Sequence, residues 1–581
     1  MKRQSFVKHL FSVSVLIAVL FLTVTGCGPK YQLIPLSPAD PPVSGTNGMV
    51  VAAHPLAAEA GINVLKDGGN AVDAAIATLF MLNVVEPHAS GLGGGGFAVV
   101  RMADGDAKAI NFREKAPSKI DPSFYYDPAD TNHTRMGHGA TAVCVPGAAA
   151  GWAQMFHSWA TLPLERLARD AINAAENGFP VDPTLAGQIM NNFENLSSDS
   201  IMREVFINDG LPYEVGDTLR QEDLAKTLNL IVERGFNSFY RGPIAESIVS
   251  TIQNANGYMT LSDLEFYRSE VSEPLQATFS GSLSAYEALT MPPPSRGGSA
   301  LLEALNMFDL SGMYEYSPHS AEAIHIQSQC IQQSYIDAAT TICDPKFDIG
   351  NWQELATVEF AKEAMTGIAL ESDPGPRSAT RPPNKNDKGN TTHLSVVDKD
   401  GNAVSLTQTI NHFFGAGVMA PGTGLLLNNQ MQDFSVPPPD SLLDVIPLSR
   451  NLIEGGKRPR SNMCPLIMLK DGKVKLIVGT PGGSRIPAAM AQIVVNATEY
   501  GMDISSAIDY PRFFPSNEHL VLENRFDMGT VKELTKTGYI LHFAGPYHVY
   551  FGGAHGISID HNTGVISGAA DKRRGGAARG Y

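Results

Sequence analysis

Apolar positions along the chain follow two periods, and the order in which the periods appear sets the first expectations for the fold. From Gly48 onward, MVVAAHPLAAEAGINVLKDGG reads as helical and stops on two glycines. NAVDAAIATLFMLNVVEP follows and is apolar on nearly every face, as a helix is when it lies inside a large protein. FAVVRMADGDAKAINFREKAP then reads as two strands turning at Asp104-Gly105. Helical spacing returns in LPLERLARDAINAAENGF and YRGPIAESIVSTIQNANG, and MTLSDLEFY opens with a Thr-x-x-Asp cap. SAYEALTMPPPSRGGSALLEALNMF predicts a strand, a Pro-rich turn at Pro292–Pro294 and a helix. The strongest local signal is TTHLSVVD and AVSLTQTIN, two alternating runs around Lys399-Asp400-Gly401-Asn402. CPLIMLKDGKVKLIVGTPGGSRIPAAMAQIVVNA predicts strand, turn at Asp471-Gly472, strand, glycine-rich junction and helix. No repeat of fixed period interrupts this order.

The ends and the composition narrow the class. MKRQSFVKHLFSVSVLIAVLFLTVTGC has a basic start, an apolar run from about Leu10 to Val24, and small residues before Cys27, the pattern of a secretory signal over residues 1–26. A cysteine in the first mature position is similar to a bacterial lipobox, which implies lipid on Cys27 and an exported, membrane-anchored lipoprotein; an ordinary signal with a chance cysteine is the alternative. Gly28 after it points to the periplasmic face of the outer membrane where the organism has one. The formal net charge of -16 argues against nucleic acid as a partner. Cys144, Cys330, Cys343 and Cys464 form no CxxC pair and no zinc spacing, so neither a metal nor a cofactor is expected. Cys330 and Cys343 could pair in an oxidising compartment, although two buried thiols are the simpler reading.

Candidate chemistry concentrates between Gly389 and Asn411. A polar, Pro-rich run, RSATRPPNKNDKGN, meets the hairpin at the Asn390-Thr391 bond, which predicts an exposed backbone followed by a residue held in a strand. Cleavage there would put a hydroxyl and a free α-amine on Thr391, and an α-amine of pKa about 7.7–8 can accept the hydroxyl proton near neutrality. The uncut chain would then be a precursor. Alternation places Thr407, Thr409 and Asn411 on one face beside Thr391, although threonines on a half-buried strand are as often structural. Asn429, Gln430 and Asp433 follow the apolar run GLLL, and residues 436–456 form a Pro-rich connection long enough for a lid. Gly482 and Gly483, between strand and helix, could expose backbone N–H groups to an oxyanion, or could simply make a left-handed turn. The run SGLGGGG at 90–96 precedes a strand and has no Lys-Ser/Thr after it, so close backbone packing explains it better than a phosphate loop. Arg113, which Glu114 and Lys115 follow, reads by default as solvated.

NTTH at 390–393, DKDGNAVSLTQT, LLLNNQMQDF, KRPRSNM, GTPGGSR, SGLGGGGF, FRE and MPPPS, in this order and spacing, resemble the γ-glutamyltranspeptidases, also called glutathione hydrolases. The resemblance runs from about Gly48 to the C-terminus. It implies an α+β fold, a four-layer αββα sandwich of the N-terminal nucleophile hydrolase class. It also implies self-cleavage into a large subunit, 27–390, and a small one, 391–581, that stay together as a heterodimer. By matching position, Thr391 is the nucleophile, Thr409 its hydrogen-bond partner, and Gly482 and Gly483 the oxyanion hole. Arg113 and Ser461 would meet the donor's α-carboxylate; Asn411, Gln430 and Asp433 its α-ammonium. Glutathione and other γ-glutamyl compounds are the implied donors, with water, an amino acid or a dipeptide as acceptor. The family usually has two serines before the Met where this chain has Ser461-Asn462. Related readings are a γ-polyglutamate depolymerase or transferase and a cephalosporin acylase; from another class, an uncut, inactive peptide-binding surface lipoprotein.

Overall fold

A computed structural model describes residues 33–581 apart from 35, 128, 131, 282–283, 349, 369, 371–388, 438–448 and 517. Cys27 and the signal segment, the polar run before Gly389 and most of the candidate lid lie outside the described residues.

Fourteen strands make two seven-stranded, fully antiparallel sheets. In chain order they are β1 (Val43–Gly45), β2 (Gly48–Ala52), β3 (Gly95–Arg101), β4 (Ala107–Asn111), β5 (Glu270–Ser272), β6 (Leu275–Phe279) and β7 (Tyr286–Thr290). After the long helical region come β8 (Gly389–Asp398), β9 (Ala403–His412), β10 (Leu466–Lys470), β11 (Lys473–Gly479), β12 (His555–Asp560), β13 (Val565–Ala570) and β14 (Ala577–Gly580). The first sheet runs β14-β2-β8-β9-β3-β4-β5 and the second β1-β13-β12-β11-β10-β7-β6. Their faces meet where β8 and β9 pack on β11 and β12.

Period-two alternation assigns each residue of the first sheet to a layer. Val50, Ala98, Val100, Leu394, Val396, Val404 and Leu406 point to one hydrophobic core, shared with helices α1 (Pro55–Lys66) and α2 (Ala71–Val85). Met49, Val51, Phe97 and Val99 point the other way, into the core shared with the second sheet and with helices α3 (Arg296–Ser311), α4 (Ala321–Thr341) and α5 (Ile486–Thr498). Helices on the outside of two stacked sheets give the αββα order. Every residue of α2 is buried, as its unbroken apolar pattern requires, and Asn70 and Asp73 close a capping box at its start.

One boundary departs from the sequence reading. Residues 48–52 are strand β2, and the helix starts only at Pro55, where the His54 side chain caps it. A fully buried strand and a buried helix both read as unbroken apolar runs, and here the place between β14 and β8 decides for strand. Cys144, Cys330, Cys343 and Cys464 are all buried.

Candidate functional site

The β8–β9 hairpin carries the site because its register breaks at one point. Asn390 pairs with Asn411 and Thr392 with Gln408, so the ladder shifts across Thr391. At this bulge the Thr391 hydroxyl donates to the Thr409 hydroxyl at 3.2 Å. Thr409 in turn donates to the carbonyl oxygen of Asn390, and its oxygen also accepts the Asn411 N–H at 2.8 Å. One hydroxyl proton and two lone pairs are thereby all used. The carbonyl of the 390–391 peptide is polarised by a hydroxyl that is itself bonded to the neighbouring candidate nucleophile.

That peptide is not exposed, contrary to the expectation from the polar run before it. Asn390 is 0% and Thr391 4% exposed, because β8 lies inside its sheet, with β2 on one side and β9 on the other. The bond is also held from both flanks. Asn390 Nδ2 donates to the His88 carbonyl at 2.9 Å, and Asn390 Oδ1 accepts from Arg574 Nη1 at 2.6 Å and from the Thr391 N–H at 3.0 Å. Arg574 Nη1 reaches the Thr391 carbonyl as well, at 3.1 Å.

Arg574 is half-buried, and desolvation brings its guanidinium down to about 10 while Glu86 opposes the fall. Burial lifts the Glu86 carboxyl to about 7, against the pull of the Thr392 hydroxyl and Arg574. His88 is pushed down to about 3, mainly by burial, and is a neutral ring at any working pH. Sequence reading missed all three. Arg574 lies in the C-terminal DKRRGG run, where four neighbouring charges gave no sign that Asp571 and Arg573 are buried, that Arg574 is half-buried and that only Lys572 stays exposed.

The other end of the site is charged. Arg113 is 1% exposed, not solvated: its Nη1 pairs with Glu114 at 3.2 Å, its Nη2 with Asp433, and Nε and Nη2 donate to the carbonyls of Pro459 and Arg460 at 3.2 Å. Burial works against its charge, but Glu114 and Asp433 outweigh burial and hold the guanidinium above its usual range. Burial raises Glu114 to about 7, against Arg113 and against Gln430 beside it. Gln430 and Asp433 sit on one 3-10 turn, Gln430–Asp433, which follows the loop whose Asn429 carbonyl accepts from Asn411 Nδ2 at 3.1 Å. Asp433 keeps a third of its side chain open. The structure thus brings Thr391, Thr409 and Asn411 together directly, and joins Asn411 to Gln430 and Asp433 through Asn429.

Ser461 bonds to the Pro-rich turn through its N–H on the Pro294 carbonyl at 2.9 Å, and its hydroxyl accepts from Met463 N–H at 3.2 Å. Asn462 turns its side-chain oxygen to Arg296, whose Nε donates at 2.9 Å. Gly482 and Gly483 have φ of 143° and 58°, left-handed conformations that favour glycine, and they lead into a 3-10 turn, Gly483–Arg485, before α5 starts at Ile486. This turn packs on β8. The sequence reading placed a helix directly after the glycines; the 3-10 turn comes first. The upstream glycines 93–96 are explained by close approach, since a Cβ on Gly94 would lie 2.1 Å from the Thr409 carbonyl oxygen. Among the described residues no cluster of His, Cys, Asp and Glu is arranged to hold a metal ion.

Comparison with known proteins covers almost the whole chain. The family model described as gamma-glutamyltranspeptidase matches residues 57–581. The chain is 38% identical over 558 residues to a glutathione hydrolase proenzyme of Bacillus subtilis (strain 168), a match that spans 92% of each. It is 37% identical over 506 residues to a glutathione hydrolase proenzyme of Escherichia coli (strain K12), spanning 86% of each. Among solved structures, the cephalosporin acylase from Bacillus halodurans superposes with a TM-score of 0.83 at 29% identity, over 96% of this chain and 99% of that one.

Proposed function

The chain belongs to the γ-glutamyltranspeptidase family, and from that premise we propose that it is a self-processing glutathione hydrolase and γ-glutamyltransferase with Thr391 as its nucleophile. The observation that carries the reading is the hydroxyl chain from Thr391 through Thr409 to the carbonyl of Asn390. In maturation the Thr391 oxygen attacks that carbonyl carbon, the C–N bond breaks as nitrogen takes a proton, and an ester replaces the amide. Water then cleaves the ester, leaving a carboxylate on Asn390 and a free α-amine on Thr391.

In turnover the new amine takes the Thr391 hydroxyl proton as the oxygen attacks the γ-amide of the donor. The oxyanion that forms needs donors fixed in advance, a role suited to the N–H groups of Gly482 and Gly483 at the turn packed on β8. The leaving amine takes the proton, and a γ-glutamyl ester remains for water or an acceptor amine. Asp433, Asn411 and Gln430 suit the donor's α-ammonium, and the guanidinium side, with Arg113, Ser461 and Asn462, suits its α-carboxylate. The acylase likeness supports a second reading, hydrolysis of a side-chain amide that has no α-ammonium; the open carboxylate of Asp433 favours the first.

Incubating the purified protein with glutathione, with and without glycylglycine, tests the reading. Glutamate release alone, then γ-glutamyl-glycylglycine when acceptor is present, is the expected result. A single uncut band on a denaturing gel with no glutamate released would overturn it. We also propose that Cys27 carries lipid and anchors the exported protein; Cys27→Ala should then leave the membrane fraction.

A further inference from the structure

We infer that Arg574 prepares the base of the reaction: its guanidinium, a fixed positive charge on the backbone of Thr391, keeps the α-amine that cleavage creates in the unprotonated form. Arg574 acts through Thr391 and is a positioning residue. The inference deepens the proposed function and rests on it.

Direct contacts place Arg574 against the nucleophile. One oxygen, Asn390 Oδ1, accepts from Arg574 Nη1 at 2.6 Å and from the Thr391 N–H at 3.0 Å, so the guanidinium and the nitrogen that becomes the amine stand at most two hydrogen bonds apart. The same Nη1 donates to the Thr391 carbonyl at 3.1 Å. Thr391 and Arg574 both lie on the C-terminal side of the cut, so this second contact does not depend on the 390–391 bond. The side chain is fixed along its length as well. A Cβ on Gly553 would lie 2.8 Å from Cβ and Cγ of Arg574 and 2.9 Å from its Cδ, so the stem runs over backbone that glycine alone leaves room for. The Arg574 N–H donates to the Asp571 carbonyl at 3.3 Å. Asp571 is itself pinned to Ala554, its N–H on the Ala554 carbonyl at 2.9 Å and its Oδ2 accepting the Ala554 N–H at 3.0 Å. The Gly553 N–H donates to the Thr480 hydroxyl at 3.1 Å, which ties this strap to the segment that leads into the Gly482-Gly483 turn.

The charges around this guanidinium leave its field on the amine. At about 10, Arg574 stays charged through the neutral range. Asp571 faces it but is held between Arg512 and Arg573, and Arg485 adds charge of the same sign. The imidazoles of His88 and His555 are pushed down to about 3 and about 4, chiefly by burial, and burial also lowers His54 against the pull of Asp182, so these rings are neutral at pH 7. Among the described residues Glu86 is the facing group that changes charge near neutrality, at about 7. An α-amine starts near about 7.7–8, and a like charge this close disfavours the ammonium form by about 1–2 pH units. That takes Thr391 from mostly ammonium at pH 7 to mostly free base. Below pH 7 Glu86 is neutral and the guanidinium acts at full strength. Above it the carboxylate offsets part of the field, when the amine is already free.

The test is the pH dependence of kcat/KM for γ-glutamyl-p-nitroanilide, whose acid limb reports the base of the free enzyme. Arg574→Gln keeps an amide donor and loses the charge; it should move the limb to higher pH by about 1–2 units, with about a 10-fold loss at pH 6 that shrinks toward alkaline pH. Arg574→Lys restores the charge and should return the limb to its wild-type position. Glu86→Gln removes the opposing carboxylate and should move the limb the other way, to lower pH. A residue that merely supports the fold would change the yield of matured protein and leave the limb in place. If Arg574→Gln does not separate into two fragments, the other two variants decide: a limb lowered in Glu86→Gln and unmoved in Arg574→Lys upholds the inference, and any other pair of results overturns it. If neither Arg574 variant matures, the guanidinium serves folding or self-cleavage and the inference falls. Wild-type turnover with a limb that Arg574→Gln does not move overturns this inference by itself. No turnover of γ-glutamyl-p-nitroanilide by the wild type overturns the proposed function, and this inference with it.

Discussion

At the scale of single residues, the site depends on a few hydroxyl and carboxylate groups whose partners are all present before cleavage. Thr391→Ala keeps the fold, because a buried hydroxyl with one neutral partner contributes only about 1 kcal/mol. It should nevertheless stay as one band on a denaturing gel and be inactive; a cleaved Thr391→Ala protein would sink the assigned chemistry. Asp433→Ala acts differently. It takes the open countercharge from the site and leaves Arg113 with Glu114 as its remaining carboxylate. Turnover of γ-glutamyl anilide should fall mainly through KM, by about 10-fold or more for a lost charged partner; unchanged kinetics would put the ammonium subsite elsewhere. Thr391, Thr409 and Asp433 were legible in the sequence because each stands in a local pattern. Glu86 and Arg574 were not, since 488 positions separate them and only folding puts both beside the 390–392 segment.

At the scale of elements, the hairpin β8–β9 is positioned by what cannot be placed next to it. β3 pairs with β9 from Arg101↔Ala403 to Gly95↔Thr409, and just beyond that pair Gly94 passes against the Thr409 carbonyl. Its own carbonyl accepts from the N–H groups of Gly147 and Ala148 at 2.8 and 3.0 Å, which fixes it from the other side. Gly94→Ala would therefore push on the residue whose hydroxyl polarises the Asn390 carbonyl. Overpacking of this kind costs about 1–3 kcal/mol. The expected outcome is a lower melting temperature together with slower appearance of the two fragments; normal processing would show that the strand end can give. The hairpin itself, its turn and the strand-turn-strand of β10 and β11 were readable from alternation and Asp-Gly turns. The bulge at Thr391 was not, because it comes from pairing β8 with β9 one residue out of step, and neither strand announces that alone.

At the scale of the whole molecule, buried titratable groups make stability respond to pH in two opposing ways. Glu86 and Glu114 each rise to about 7 from 4.5. The folded state thus binds their protons more tightly than the unfolded chain; their contribution is complete below pH 4.5 and is lost as pH rises through 7. His555 and His319 fall to about 4 from 6.5, so their contribution is present above pH 6.5 and is lost as pH falls through 4. Glu86→Gln removes one of the first kind, worth on the order of 3 kcal/mol. Its melting temperature relative to the wild type should therefore improve between pH 4.5 and 7.5, even though Arg574 loses its counterion. A difference that stays flat with pH would show that Glu86 is ionised throughout.

The sequence by itself determined which segments are buried helix or alternating strand, which turns join neighbours, and where a hydroxyl, an anion and two turn glycines stand along the chain. Those properties are local, set by side-chain period and by backbone preferences within a few residues. Tertiary structure alone decided that the 390–391 peptide is buried and that Arg113 is sealed against Asp433. Burial and charge pairing depend on which distant segments close over a residue, and a guanidinium carries the same charge in the sequence whether water or a carboxylate meets it.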